Sequence, residues 1–204
     1  AHFLYLGVLN EMTVAVHCNW LTDGDIDVFA DLGVGVSHNP RSSMKLAAVI
    51  APVPRMIDKG LEVGLGTDGA ASNNNLDMFT EMDSCAKIHK VAALNPAVMD
   101  ARSVVQTATI GGARLLGLGE VVGSLEAGKQ ADIIIVDMDQ PHLTPLYRPY
   151  SQLVYAARGA DVKTSIVAGR LLLRDRKLLT LDVDAAITRV REIARAISSD
   201  RNPS

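Results

Sequence analysis

The chain has 204 residues, of which 48% are hydrophobic and 21% charged, a composition typical of globular proteins and not of disordered ones. Its formal net charge of −3 argues against a nucleic-acid-binding domain, and its longest apolar runs are far too short to span a bilayer. Two cysteines, Cys18 and Cys85, cannot form a disulfide framework. We therefore expect reduced, buried thiols and a cytoplasmic protein without a nucleic-acid or membrane partner.

Three successive strand-and-helix units are predicted at the start of the chain. Their strand-forming runs cover residues 13–16, 34–36 and 61–66, and the first of these is rich in β-branched residues. Thr22 follows the first run and gives a helix-start signal together with Asp25. Short apolar strands that alternate with helices are typical of a parallel sheet buried on both faces.

The rest of the chain is predicted to contain helices, then a β-rich segment and a last helix. We expect a helix over about 76–91, one helix or a helix pair over 97–118, strands over 131–136, 162–167 and 170–173, and an amphipathic helix over 184–197. The continuous apolar run over 131–136 predicts a fully buried strand, and the two runs around Gly169 predict a hairpin.

A polar, protonatable side chain ends each of the first three strands: His17, His38 and Asp68. Functional side chains collect at the carboxyl ends of parallel strands, and imidazole and carboxylate groups suit zinc or iron. Each residue also has a structural alternative. His17 can be a hydrogen-bonded core histidine, His38 a turn residue, and Asp68 a cap of the next turn, which is the commoner role of an isolated Thr-Asp-Gly. The chain has no HxH or HExxH pair to strengthen the metal hypothesis.

Other catalytic patterns receive less support. The sequence has no Walker-type phosphate loop and no GxSxG nucleophile elbow. Cys18 directly follows His17, so on a strand the two side chains would point to opposite faces. His89 and His142 have no partners nearby in the sequence, and we expect both at the surface.

Five segments of the sequence resemble the amidohydrolase superfamily. They are AVHC at 15–18, SHNPRSSMKLA at 37–47, IAPV at 50–53, LGTDGAASNN at 65–74 and GSLEAGKQAD at 123–132. The resemblance is strongest to the branch of 5-methylthioadenosine/S-adenosylhomocysteine deaminases, with the chlorotriazine hydrolases nearby, and it extends from about residue 4 to 180.

The resemblance implies a metal-dependent (β/α)₈ barrel that hydrolyses a C–N bond on the adenine ring of a small nucleoside and releases ammonia. One divalent metal, expected to be zinc with iron as the alternative, activates water in this family. Asp68 matches the aspartate after strand eight, which ligates the metal, accepts the proton of the water and lies against the substrate. His17 matches the histidine after strand six, which orients or polarises the nucleophile at the substrate and is not a ligand. His38 matches no ligand, and we expect a loop or substrate-side residue.

The resemblance also implies that the chain is part of a longer protein. The family's HxH pair, its third histidine ligand and its proton-shuttling glutamate have no counterparts here and are expected upstream of residue 1. A complete barrel needs about 250 residues. The expected α/β architecture is therefore strands six to eight of the barrel in residues 1–118, part of a small β-sandwich in 119–180, and a carboxyl-terminal helix and tail in 181–204.

Two alternatives remain open at the level of the sequence. The first is another ring amidohydrolase, such as a guanine or cytosine deaminase or a chlorotriazine hydrolase. The second is a truncated barrel without catalytic activity. The resemblance further implies a homo-oligomer.

Overall fold

The computed structural model describes residues 2–201, without the side chains of 199–201. These residues form two compact units. The first unit comprises the residues up to 130 together with 137–161, and the second comprises 131–136 and the residues from 162 onward. The predicted division at 118 and 180 stays a prediction.

The first unit contains a three-stranded parallel sheet and nine helices within the described part of the chain. Its elements are α1 (His2–Tyr5), β1 (Val14–Val16), α2 (Asp23–Asp31), β2 (Gly35–His38), α3 (Pro40–Lys45), α4 (Val53–Asp58), β3 (Val63–Leu65), α5 (Ala70–Asn73), α6 (Met78–Ala93), α7 (Ala101–Gln106), a π-helical turn (Thr107–Gly111), α8 (Gly112–Leu115), α9 (Pro149–Tyr155) and a 3₁₀ turn (Gly159–Asp161).

The strand order is β1-β2-β3, with both pairs parallel, as the alternation of strands and helices predicts. The expected burial on both faces holds for the central strand, where Val36 is fully buried. It is wrong for β1, where Val14 and Val16 are exposed. Among the described residues β1 pairs with β2 alone, and this edge position leaves its apolar side chains uncovered.

Local capping sets where the helices begin. Thr22 Oγ1 accepts from the backbone N of Asp25, and Asp25 Oδ2 accepts from the N of Thr22, so a capping box starts α2 as predicted. Asp77 caps α6, which begins at Met78, two residues later than predicted. These side chains satisfy backbone N–H groups that have no partner within a helix.

Close packing of the π-helical turn and α8 against β3 depends on the glycines at positions 64 and 111. A Cβ at Gly111 would lie 2.6 Å from the carbonyl oxygen of Val63, and a Cβ at Gly64 would lie 2.9 Å from Cα of Gly112. Larger residues at these positions would push the helix away from β3.

The second unit consists of one antiparallel sheet and a long helix. Its elements are β4 (Ile133–Val136), β5 (Val162–Val167), β6 (Arg170–Arg174), β7 (Lys177–Leu178) and α10 (Val183–Arg201), with strand order β4-β5-β6-β7. The hairpin of β5 and β6 is confirmed. The prediction of a fully buried strand at 131–136 is wrong, because Ile134 and Ile135 are each 52% exposed on β4, an edge strand of this sheet.

Helix α10 has its apolar residues at helical spacing, as predicted, but Ile187, Val190 and Ile193 are exposed. Over residues 2–201, no helix combines the length and the apolar character that a bilayer crossing requires.

Candidate functional site

The carboxyl ends of β1 and β3 bring His17 and Asp68 together. His17 directly follows β1, and Asp68 lies three residues beyond β3. Their backbones adopt positive φ angles of 69° and 60°, a conformation uncommon for residues with a side chain. His17 Nε2 lies 3.8 Å from Asp68 Oδ2, and the side chains are 39% and 30% exposed. The two predicted site residues thus form one accessible pair.

Both oxygens of the Asp68 carboxylate are held by hydrogen bonds. Ser42 Oγ donates to Oδ2 at 2.5 Å, and the backbone N of Gly69 donates to Oδ1 at 2.6 Å. These bonds, that from Ser42 foremost, lower the pKa of Asp68 to about 2. The carboxylate is therefore ionised at neutral pH and can act as a metal ligand or a proton acceptor.

The backbone of the same edge is fixed by neighbouring polar groups. The N of His17 donates to the carbonyl oxygen of Ser37 at 2.9 Å, which joins the end of β1 to β2. The amide of Asn39, in the orientation that satisfies its neighbours, accepts from the N of Asp68 at 3.0 Å. These bonds support the positive-φ conformations that direct the two side chains.

Cys18 is not activated for nucleophilic chemistry. Burial raises the pKa of its thiol to about 11, so the thiol stays protonated at neutral pH.

His38 is not a loop or substrate-side residue, and that expectation is wrong. It is the last residue of β2, is 1% exposed, and its Nε2 lies 3.1 Å from Nε2 of His89 on α6. The expected surface position of His89 is wrong for the same reason, because this face of α6 is buried.

Cys85 lies one turn before His89, and the ligand-type atoms of His38, Cys85 and His89 are within 4.8 Å of one another. The Cys85–His89 spacing of four residues was the sequence signal for a shared helix face.

His142 also has a partner that the sequence did not reveal. Its Nε2 lies 3.0 Å from Oδ2 of Asp161, a buried carboxylate that also accepts from the backbone N of Arg158. This pair links the loop that carries His142 to the 3₁₀ turn that ends at Asp161.

The buried imidazoles of His38 and His89 predict a loss of stability in acid. Desolvation lowers their pKa values to about 3 and about 4. The ordinary value is about 6.5, so below that pH the unfolded chain binds more protons, and stability is lost as the pH falls from about 6.5 toward about 4. We expect a loss of about 1–3 kcal/mol per imidazole between pH 7 and pH 5.

Thermal unfolding of His89→Gln at both pH values tests this expectation, with exposed His2→Gln as the control. The pH-dependent fall in unfolding free energy should shrink in His89→Gln and stay unchanged in His2→Gln. An equal fall in all three proteins would contradict the assignment.

Sequence reasoning did not identify the polar network behind Asp68. Glu81 on α6 is fully buried. Its Oε1 accepts from Asn73 Nδ2 at 2.6 Å, and its Oε2 accepts from the backbone N of Arg41 at 3.3 Å. Desolvation raises the pKa of Glu81, while these hydrogen bonds and the Arg41 charge oppose the rise. Glu81 therefore joins the segment after β2 to the segment after β3.

The strand-end pair fits one side of a metal site. The Asp68 carboxylate is ionised, held in place and partly exposed, and the His17 imidazole places one ring nitrogen beside it. Catalytic zinc sites use three protein ligands. Among the described residues, the trio with ligand atoms within 4.8 Å is the separate set of His38, Cys85 and His89. Asp68 therefore suits a metal whose remaining ligands come from other segments, with His17 beside it.

The sequence profile of the amidohydrolase family matches residues 2–172, and the chain belongs to this family. It is 53% identical over 197 residues to the 5-methylthioadenosine/S-adenosylhomocysteine deaminase of Syntrophobacter fumaroxidans, covering 97% of this chain and 45% of that protein. It is 48% identical over 192 residues to the 5'-deoxyadenosine deaminase of Methanosarcina mazei, covering 94% and 44%.

Solved structures show the same relation. An adenosine deaminase from Xanthomonas campestris with bound zinc superimposes with a TM-score of 0.95 at 38% identity, covering 97% of this chain and 45% of that one. An atrazine chlorohydrolase from Arthrobacter aurescens with zinc gives 0.87 at 26% identity, covering 94% and 43%. The chain spans less than half the length of these proteins. The predicted fold, a portion of an amidohydrolase barrel, is confirmed.

Proposed function

We propose that the chain forms the carboxyl-terminal part of a metal-dependent deaminase. Its substrates would be adenine nucleosides of the 5'-methylthioadenosine and S-adenosylhomocysteine type. The observation that carries the proposal is the His17–Asp68 pair, with Nε2 and Oδ2 3.8 Å apart at the strand ends of an amidohydrolase fold. The deaminase names of relatives at about half identity support the reaction and the substrate class.

Asp68 is proposed as the ligand that this chain contributes to one divalent metal. The other ligands would lie in the part of the complete protein that corresponds to the unmatched part of its relatives. Zinc is favoured over iron because two similar solved proteins contain zinc. When bound, the metal supplies positive charge that lowers the pKa of water toward about 7.

Asp68 is also proposed to move the proton. Its carboxylate, ionised at neutral pH, accepts a proton from the attacking water and passes it to the leaving amine. The water oxygen bonds to the ring carbon that carries the amine, the C–N bond breaks, and ammonia leaves. His17 Nε2, beside Oδ2 of Asp68, holds the water on the side of the ring carbon.

An ammonia-release assay of the complete, zinc-loaded protein, of which this chain is proposed to form a part, tests the substrate class. We expect turnover of 5'-methylthioadenosine and S-adenosylhomocysteine, and no turnover of guanine or a chlorotriazine. Preference for guanine or a triazine would replace the proposal by another ring hydrolase. A stable, metal-free protein of 21.8 kDa would instead support the truncated barrel without activity.

A second candidate substrate is 5'-deoxyadenosine. Three relatives that are 47–51% identical to this chain are named 5'-deoxyadenosine deaminase. A higher kcat/KM for it than for 5'-methylthioadenosine would favour this reaction. The cytoplasmic location and the homo-oligomeric state remain predictions.

A further inference from the structure

Ser42 is a buried hydroxyl in direct contact with Asp68. It lies on α3, is fully buried, and donates from Oγ to Oδ2 of Asp68 at 2.5 Å. The torsion that rotates an aspartate carboxylate is broad and weakly restrained by the side chain itself. The plane of this carboxylate must therefore be set by hydrogen bonds from other residues. Ser42 Oγ and the backbone N of Gly69 donate such bonds.

The position of Ser42 is fixed by contacts on both sides of it. Lys45, one turn further along α3, donates from Nζ to the carbonyl oxygen of Ala71 at 2.7 Å and to Oδ1 of Asn74. On the other side of Ser42, the backbone N of Arg41 donates to the buried Glu81.

Glu81 in turn holds the segment that carries Asp68. Asn73 Nδ2 donates both to Oε1 of Glu81 and to the carbonyl oxygen of Thr67 at 2.7 Å, next to Asp68. The segments after β2 and β3 are thus joined by three connections. They are the bond from Ser42 to Asp68, the bonds of Glu81 to Arg41 and Asn73, and the bonds of Lys45 to Ala71 and Asn74. Such an arrangement holds a side chain at one distance and angle.

We propose that Ser42 is a positioning residue, which orients the Asp68 carboxylate for metal binding and proton transfer; this inference rests on the proposed function. A carboxylate has about four lone-pair sites, so Oδ2 can accept from Ser42 and still have capacity for another partner. Loss of a group that orients a metal ligand typically costs about 10–100-fold in metal affinity or activity.

Ser42→Ala in the zinc-loaded protein tests the proposal, with Ser43→Ala as the matched control. Ser43 is a buried serine on the same helix, but its hydroxyl contacts Asn19 and not Asp68. We expect kcat of Ser42→Ala to fall about 10–100-fold with KM changed less than about threefold, and zinc to pass to a chelator faster than from the control.

Equal kcat and equal zinc release in the two variants would overturn the proposal. A Ser42→Ala protein that loses its fold, while Ser43→Ala keeps it, would overturn it too, because Ser42 would then act on stability. If the unsubstituted protein binds zinc but deaminates none of the adenine nucleosides, the proposed function fails. The zinc-release comparison still decides the role of Ser42 in that case.

Discussion

In the complete protein of which this chain is proposed to form the carboxyl-terminal part, Asp68→Asn is expected to abolish turnover and to weaken metal binding. The amide has nearly the shape of the carboxylate but no negative charge, so it neither attracts a divalent cation nor accepts a proton from water. It also disturbs the contacts around it. Ser42 Oγ and the N of Gly69 both donate to the carboxylate, and an amide presents an NH₂ group to one of these donors. Loss of the proton acceptor alone should lower kcat by about 10²–10⁴-fold.

The measurement is kcat together with zinc content per protein, and Asp100→Asn is the control. Asp100 caps α7 through bonds from the N of Arg102 and of Ser103, a role that asparagine also fills. The control should keep both activity and zinc. Near-normal turnover with full metal occupancy in Asp68→Asn would remove Asp68 from both roles.

His17→Ala is expected to lower kcat steeply while the metal stays bound. In the proposed mechanism His17 Nε2 orients the water beside Asp68 and holds no metal, so its loss should affect chemistry and not occupancy. A positioned group of this kind contributes about 10²–10⁴-fold to the rate. The exposed His2→Ala is the control and should leave kcat and zinc content unchanged.

Zinc content separates the two roles that the sequence alone left open for His17. Full occupancy with low kcat supports the orienting role. Loss of zinc in His17→Ala would instead make His17 a metal ligand beside Asp68.

The sequence was sufficient for features that depend on neighbouring residues. The capping box of Thr22 and Asp25 is local, and the structure contains it. The parallel sheet followed from short apolar runs that alternate with helices, and this topology placed His17 and Asp68 at the same edge. Strand-end position therefore predicted that these two side chains lie together, but not that His38, also at a strand end, is buried against His89.

Features that depend on long-range packing were not predictable. His38 and His89 are 51 residues apart, and they meet because one face of α6 is buried, with His89 against His38 at the end of β2. No sequence pattern around His38 indicates this contact. The contact of Ser42 with Asp68 joins residues 26 apart, and a serine in a helix carries no sign of its partner. Exposure was misjudged at Ile134 and Ile135 because an apolar run does not show whether its strand is central or at an edge.

Ammonia release from 5'-methylthioadenosine by the complete, zinc-loaded protein tests whether it is a deaminase that depends on Asp68. We expect one ammonia for each molecule of nucleoside consumed, and no release when Asp68 is replaced by asparagine. Ammonia release that is unchanged by Asp68→Asn, or no release from any adenine nucleoside at full zinc occupancy, would contradict this expectation.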